Sequence, residues 1–205
     1  VQALKQKGLY DNTLILFTSD HGDMQGDHNM WRKTYAYQGS ALIPMIVKTP
    51  EGFGGSLQAG SVVEQPVELR DVLPTFLDAC GDSVPADMDG RSMLSLIKNP
   101  KASWREWIDM EHATSYADFN YWTALTDGHI KYIWFVRTGD EQLFDLDADP
   151  EESVNLAGKQ KYGKLLKSMR EKMAKHLEER GEQWVKNGVL QTHAETVLYG
   201  PNYPK

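Results

Sequence analysis

A carboxylate and an imidazole stand side by side at Asp20 and His21, just after the apolar, β-prone run Leu14, Ile15, Leu16 and Phe17. A run of that length opening into polar, Gly-rich sequence reads as a buried strand ending in a loop. In open α/β sheets, ligands bind beyond the carboxyl ends of the strands, so the pair sits where chemistry is commonly placed. Asp20 and His21 offer an oxygen and a nitrogen donor to one cation. Consecutive strand side chains point to opposite faces. Both therefore reach one ion only if the strand breaks here, and Gly22 and Gly26 allow a sharp turn. The alternative is a capped loop with a solvated Asp20 and a packed His21. Asp27, His28, Arg32 and Lys33 follow before a second apolar run over 43–47.

The elements that would position these residues read as follows. Residues 1–8 end a helix, with Gly8 as its cap. Residues 13–18 and 43–48 are strands, 19–34 the loop between them, and 35–41 a short helix. A Gly-rich surface loop covers 51–60. Leu69, Val72, Leu73, Phe76, Leu77 and Cys80 recur at helical spacing and Gly81 stops the helix, which makes Cys80 a packed core thiol. A short helix spans 92–98.

From about Trp104 the pattern changes to short strands at 107–111, 121–126, 129–137 and 142–145. Asp127-Gly128 is a strong hairpin signal between two of them. An antiparallel sheet results, followed by an amphipathic helix over 159–180 with Leu165, Met169, Met173 and Leu177 on one stripe. Residues 191–205 read as loop. The chain thus divides into 1–103 and 104–205.

The 205 residues carry a net charge of −7, with no Lys/Arg run to neutralise phosphates, which excludes a nucleic-acid partner. No apolar stretch has the length to span a bilayer, so no membrane partner is expected. A single cysteine precludes an internal disulfide. Six Trp and nine Tyr suit both core packing and stacking on sugar faces.

Three ordered blocks carry a family resemblance. The first is Asp11-Asn12-Thr13, TSDHGD at 18–23, GDH at 26–28, Trp31, Lys33, Tyr37, Ser40 and Pro44. The second is PVELRDVLPTFLDACG with MDGRSMLSLI. The third is Asp127-Gly128-His129-Ile130-Lys131-Tyr132, then Gln142-Leu143-Phe144-Asp145-Leu146, Asp149-Pro150-Glu151-Glu152 and Asn155-Leu156. Together they resemble the sulfatase family of the alkaline-phosphatase-like superfamily.

The resemblance implies an α/β fold with parallel core strands, a small antiparallel-sheet subdomain and a C-terminal helix. On this reading 1–103 is the C-terminal portion of the catalytic core and 104–205 the C-terminal subdomain. The family's nucleophile motif, Cys or Ser-x-Pro-x-Arg, whose first residue becomes formylglycine, is not found; Cys80 is followed by Gly81. The chain is therefore expected to be the C-terminal part of such a fold. The formylglycine and two further acidic metal ligands are expected in a missing N-terminal half, leaving this chain inactive alone.

The resemblance makes Asp20 and His21 ligands of a divalent cation. Calcium is the usual ion, but an imidazole leaves magnesium, manganese and even zinc open, because hard cations favour oxygen. Lys33 matches a lysine that contacts the sulfate group, and Tyr35 and Tyr37 can pack it in place. His28 and His112 match regions that border the substrate. The implied activity is metal-dependent hydrolysis of a sulfate ester on a glycan or aryl compound. The alternatives are a phosphoester or phosphonate hydrolase of the same superfamily, and a non-catalytic binder of sulfated glycans. The family's compartments are periplasmic, secreted or lysosomal.

Overall fold

A computed structural model describes residues 1–115 and 117–196. Its helices are α1 (Gln2–Gln6), α2 (Gln38–Ala41), α3 (Val72–Ala79), α4 (Leu94–Lys98) and α5 (Gly163–Leu177). Its strands are β1 (Ile15–Thr18), β2 (Met45–Lys48), β3 (Ile108–His112), β4 (Trp122–Thr126), β5 (Ile130–Phe135), β6 (Glu141–Asp145), β7 (Val185–Lys186) and β8 (Val189–Leu190). Contacts divide the chain into two units, one of Val1–Asp20 with Ile43–Glu106 and one of His21–Leu42 with Trp107–Lys205. The segment His21–Leu42, read from sequence with 1–103, has its contacts in the second unit.

In the first unit β1 and β2 pair antiparallel, with Thr18 opposite Met45 and Ile15 opposite Lys48. The parallel core strands expected from sequence are not formed among the described residues. The connection returns the chain to the end of β1 that it left, so β2 can only run back along it. Phe17 and Ile46 are register partners and both are exposed.

A reciprocal capping box joins Glu68 and Asp71 at the 3-10 turn Leu69–Asp71 that leads into α3. The Asp71 carboxylate is fully buried; it accepts from Glu68 N and Arg91 N and is gripped by Arg105 at 2.7 and 2.5 Å. Thr75 Oγ1 donates to Asp71 O and accepts from Met93 N. These bonds turn Asp71, Pro74 and Thr75 inward and leave Leu69, Leu73, Phe76 and Cys80 exposed. Cys80 is therefore an exposed thiol, not the packed one expected. Periodicity revealed an apolar face of α3, but polar bonds decide which face this unit buries.

Asp71→Asn should lower the stability of this unit by about 3 kcal/mol, because it neutralises the fully buried one of the two carboxylates paired with the largely buried Arg105 guanidinium, leaving only Glu68 at 3.0 Å. A thermal melt unchanged from wild type would contradict this.

The second unit is built on the sheet β3-β4-β5-β6, antiparallel throughout as its turn signals indicate. At the β4–β5 turn, Asp127 Oδ1 accepts from His129 N and Ile130 N, and Gly128 takes a φ of +93°, where glycine meets no steric penalty. One sheet face, with Leu125, Tyr132, Trp134 and Leu143, packs on Leu166, Met169, Met173 and Leu177 of α5. Leu166 joins the stripe, and Leu165, placed on it by the sequence reading, is partly buried and packs against the same cluster. The other face, with Trp122, Ala124, Ile133 and Phe144, is covered by Ala36 and Tyr37. Coverage on both faces explains why every residue of β4 is buried. Each large side chain so buried contributes about 1.5–3 kcal/mol.

The expected 191–205 loop lies, from residue 197 onward, outside the described residues. Among the described residues, no helix is long and apolar enough to cross a membrane.

Candidate active site

Asp20 closes the first segment of the first unit and is exposed; His21 opens the second unit and is half-buried. Gly22 N donates to Ser40 O at 2.8 Å. A Cβ on Gly22 would stand 2.1 Å from the Gly39 carbonyl oxygen. Gly22 is thus required for a close backbone approach, while Gly26, at φ +105°, makes the turn.

The His21 ring has defined partners. Nε2 lies 2.9 Å from Lys33 Nζ, and Nδ1 lies 2.7 Å from Gly22 O. An ammonium only donates, so Nε2 accepts and Nδ1 carries the proton that it gives to Gly22 O. This is the tautomer of a metal-ligating histidine, whose other nitrogen donates to a backbone carbonyl and fixes the ring. The structure therefore brings His21 and Lys33 together, with the imidazole lone pair and the ammonium facing each other.

Lys33 is pinned from both sides. Before it, Arg32 N donates to Asp23 Oδ1 at 3.2 Å, and Arg32 O accepts from the N of fully buried Met24 at 2.8 Å. After it, Thr34 O accepts from Trp122 Nε1 at 2.9 Å, and Thr34 Oγ1 from Asn120 Nδ2 at 2.7 Å. Arg32 and Thr34 have φ values of +73° and +91°. Left-handed backbone is unusual for any side chain and rarer still for a β-branched one. Such strain costs about 1–3 kcal/mol per residue and persists only where the surroundings over-determine it, commonly at functional sites.

His28 and His112 sit differently from Lys33. His28 Nε2 lies 2.9 Å from Glu151 O, and its ring stacks on Tyr37 at 4.2 Å. His112 Nδ1 lies 2.8 Å from Asn120 O, with its ring stacked on Trp122. Tyr37, expected beside Lys33, instead stacks on His28 and donates to Gln142 Oε1 at 3.0 Å. Burial raises the Tyr37 pKa above the usual phenol range, which keeps it a neutral donor. Trp31 is exposed.

No three His, Cys, Asp or Glu side chains among the described residues are grouped to hold a metal ion. Asn120 and Trp122, which clamp Thr34, were not legible as site residues; Trp122 lies in an apolar run that reads as ordinary core.

Residues 26–179 match the family model for the C-terminal region of N-sulphoglucosamine sulphohydrolase. The chain belongs to the sulfatase family. It is 38% identical over 190 residues to an arylsulfatase of Clostridium perfringens, covering 92% of this chain and 38% of that one. Among solved structures, it resembles a protein in complex with its substrate D-glucosamine-2-N,6-O-disulfate, at 28% identity and a TM-score of 0.77, covering 86% of this chain and 36% of that chain. It also resembles a phosphonate monoester hydrolase of Silicibacter pomeroyi, at 29% identity and a TM-score of 0.72, covering 86% and 37%. The chain thus spans less than two fifths of these proteins and corresponds to a C-terminal part of the arylsulfatase.

Proposed function

We propose that this chain is the C-terminal part of a sulfate ester hydrolase, supplying Lys33, His21 and Asp20 to the active site. The observation that carries the proposal is the Lys33 ammonium, held against the His21 lone pair on a loop strained and bonded on both sides. Sulfuryl transfer builds negative charge on the leaving and peripheral oxygens, and a preorganised ammonium lowers that barrier. Lys33 acts as a point charge with three donors, free to follow an oxygen as the S–O bond lengthens.

His21, with Nδ1–H donated to Gly22 O, would offer Nε2 to a divalent cation once Lys33 Nζ, which donates to that lone pair here, turns to a sulfate oxygen, and Asp20 would add a carboxylate. A bound cation would polarise a sulfate oxygen. Calcium, magnesium and manganese all accept the carboxylate, and the imidazole widens the choice. The nucleophile, expected as formylglycine, and the remaining acidic ligands belong to the N-terminal part of the fold.

A sulfated sugar or aryl sulfate is the substrate class that the relatives favour. The resemblance to a phosphonate monoester hydrolase supports the second reading, hydrolysis of a phosphonate or phosphate ester. A binder without catalysis has no need of a lysine pinned between two strained residues. Comparison of kcat/KM for 4-nitrophenyl sulfate and 4-nitrophenyl phenylphosphonate on the full-length protein separates these readings. The sulfate ester should be the better substrate. Preference for the phosphonate would establish the second reading, and turnover of neither, with retained binding of a sulfated glycan, the third.

A further inference from the structure

The downstream motif that contains Lys131 and Glu152 has so far no part in the chemistry. Lys131 is the second residue of β5 and is fully buried, and Glu152 is 2% exposed. Lys131 Nζ stands 2.6 Å from Glu152 Oε1 and donates to Ala36 O at 2.8 Å and Gln38 Oε1 at 2.9 Å. Glu152 Oε2 accepts from Gln38 N at 2.5 Å. Both hydrogen bonds of the ammonium thus go to the segment that follows Lys33, beside its ion pair with Glu152. The neighbouring carbonyl, Glu151 O, holds His28 Nε2.

We propose that the Lys131–Glu152 pair is a positioning device that sets the Lys33-bearing loop through the backbone of Ala36 and Gln38. This deepens the sulfatase reading and rests on it. Taking both charges out of water costs several kcal/mol per ion, and well-packed apolar residues often replace a buried pair with no loss of stability. Stability alone therefore gives no reason for charges here, whereas the capture of one backbone carbonyl and one backbone N–H does. Burial pushes the Lys131 pKa down against the pull of Glu152, in keeping with that cost. Glu152 itself has a φ of +54°, a further local strain spent on placing its carboxylate.

The test uses the full-length protein and the apolar double variant Lys131→Met/Glu152→Met beside wild type. Three quantities are read: the thermal melt, kcat on 4-nitrophenyl sulfate, and the rate of tryptic cleavage after Arg32 and Lys33, followed by mass spectrometry. Positioning predicts a melt close to wild type, a kcat reduced about tenfold or more, as for a small misplacement of a catalytic group, and faster cleavage at Arg32 and Lys33. A double variant with wild-type melt, kcat and cleavage would overturn the proposal.

Should the double variant fail to fold, Glu152→Gln keeps an acceptor for Gln38 N and loses only the charge. Wild-type kcat and cleavage in a folded Glu152→Gln protein would overturn it equally. If the wild-type protein hydrolyses no sulfate ester, the functional reading fails, and the tryptic rates, which need no activity, still decide the positioning role.

Discussion

Lys33→Ala in the full-length protein should lower kcat on 4-nitrophenyl sulfate by about a hundredfold or more, the scale of losing one preorganised charge-stabilising donor. The melt should move little. Lys33 is half-buried and its described side-chain bond is to His21 Nε2, worth about 1 kcal/mol, while the backbone on either side is held by Asp23, Met24, Asn120 and Trp122. Lys33→Arg should recover only part of the rate, because a guanidinium keeps the charge but brings a planar fork where a compact ammonium is held. Full activity in Lys33→Ala with an unchanged melt would show that this lysine has no part in the chemistry.

Asp20→Ala should remove bound divalent cation and activity together, with the rate falling by roughly a hundred- to a thousandfold, equivalent to losing a few kcal/mol of charge stabilisation. Asp20 is exposed at the end of its unit, so the fold should lose little. Elemental analysis of the purified variant reads the metal independently of turnover. Wild-type metal content and wild-type activity together would remove Asp20 from the ligand set.

Much of the fold was legible because its signals are local. The Asp127-Gly128 turn and the four short apolar runs give the antiparallel sheet almost residue for residue. The stripe Met169, Met173 and Leu177 gives α5. What escaped was decided by partners distant in sequence. The direction of β2 relative to β1 depends on where the intervening loop returns, and the exposure of Cys80 on the burial of Asp71 by Arg105.

The same division holds at the site. Residue type and a motif match single out Asp20, His21 and Lys33 as candidates, and His21 and Lys33 do meet. The clamp that strains Thr34 comes from Asn120 and Trp122, 86 and 88 residues away. No periodicity encodes such a contact. Lys131 left one visible trace, a charge within the apolar run of β5, whose explanation required Glu152 and Gln38.

The most direct measurement is a crystal structure of the full-length protein with inorganic sulfate and a divalent cation. We expect a sulfate oxygen at about 2.7–2.9 Å from Lys33 Nζ and the cation on His21 Nε2 and Asp20 at about 2.0–2.6 Å. Sulfate bound elsewhere, with Lys33 Nζ still on His21 Nε2 and the cation remote from both Asp20 and His21, would contradict the assignment of this site.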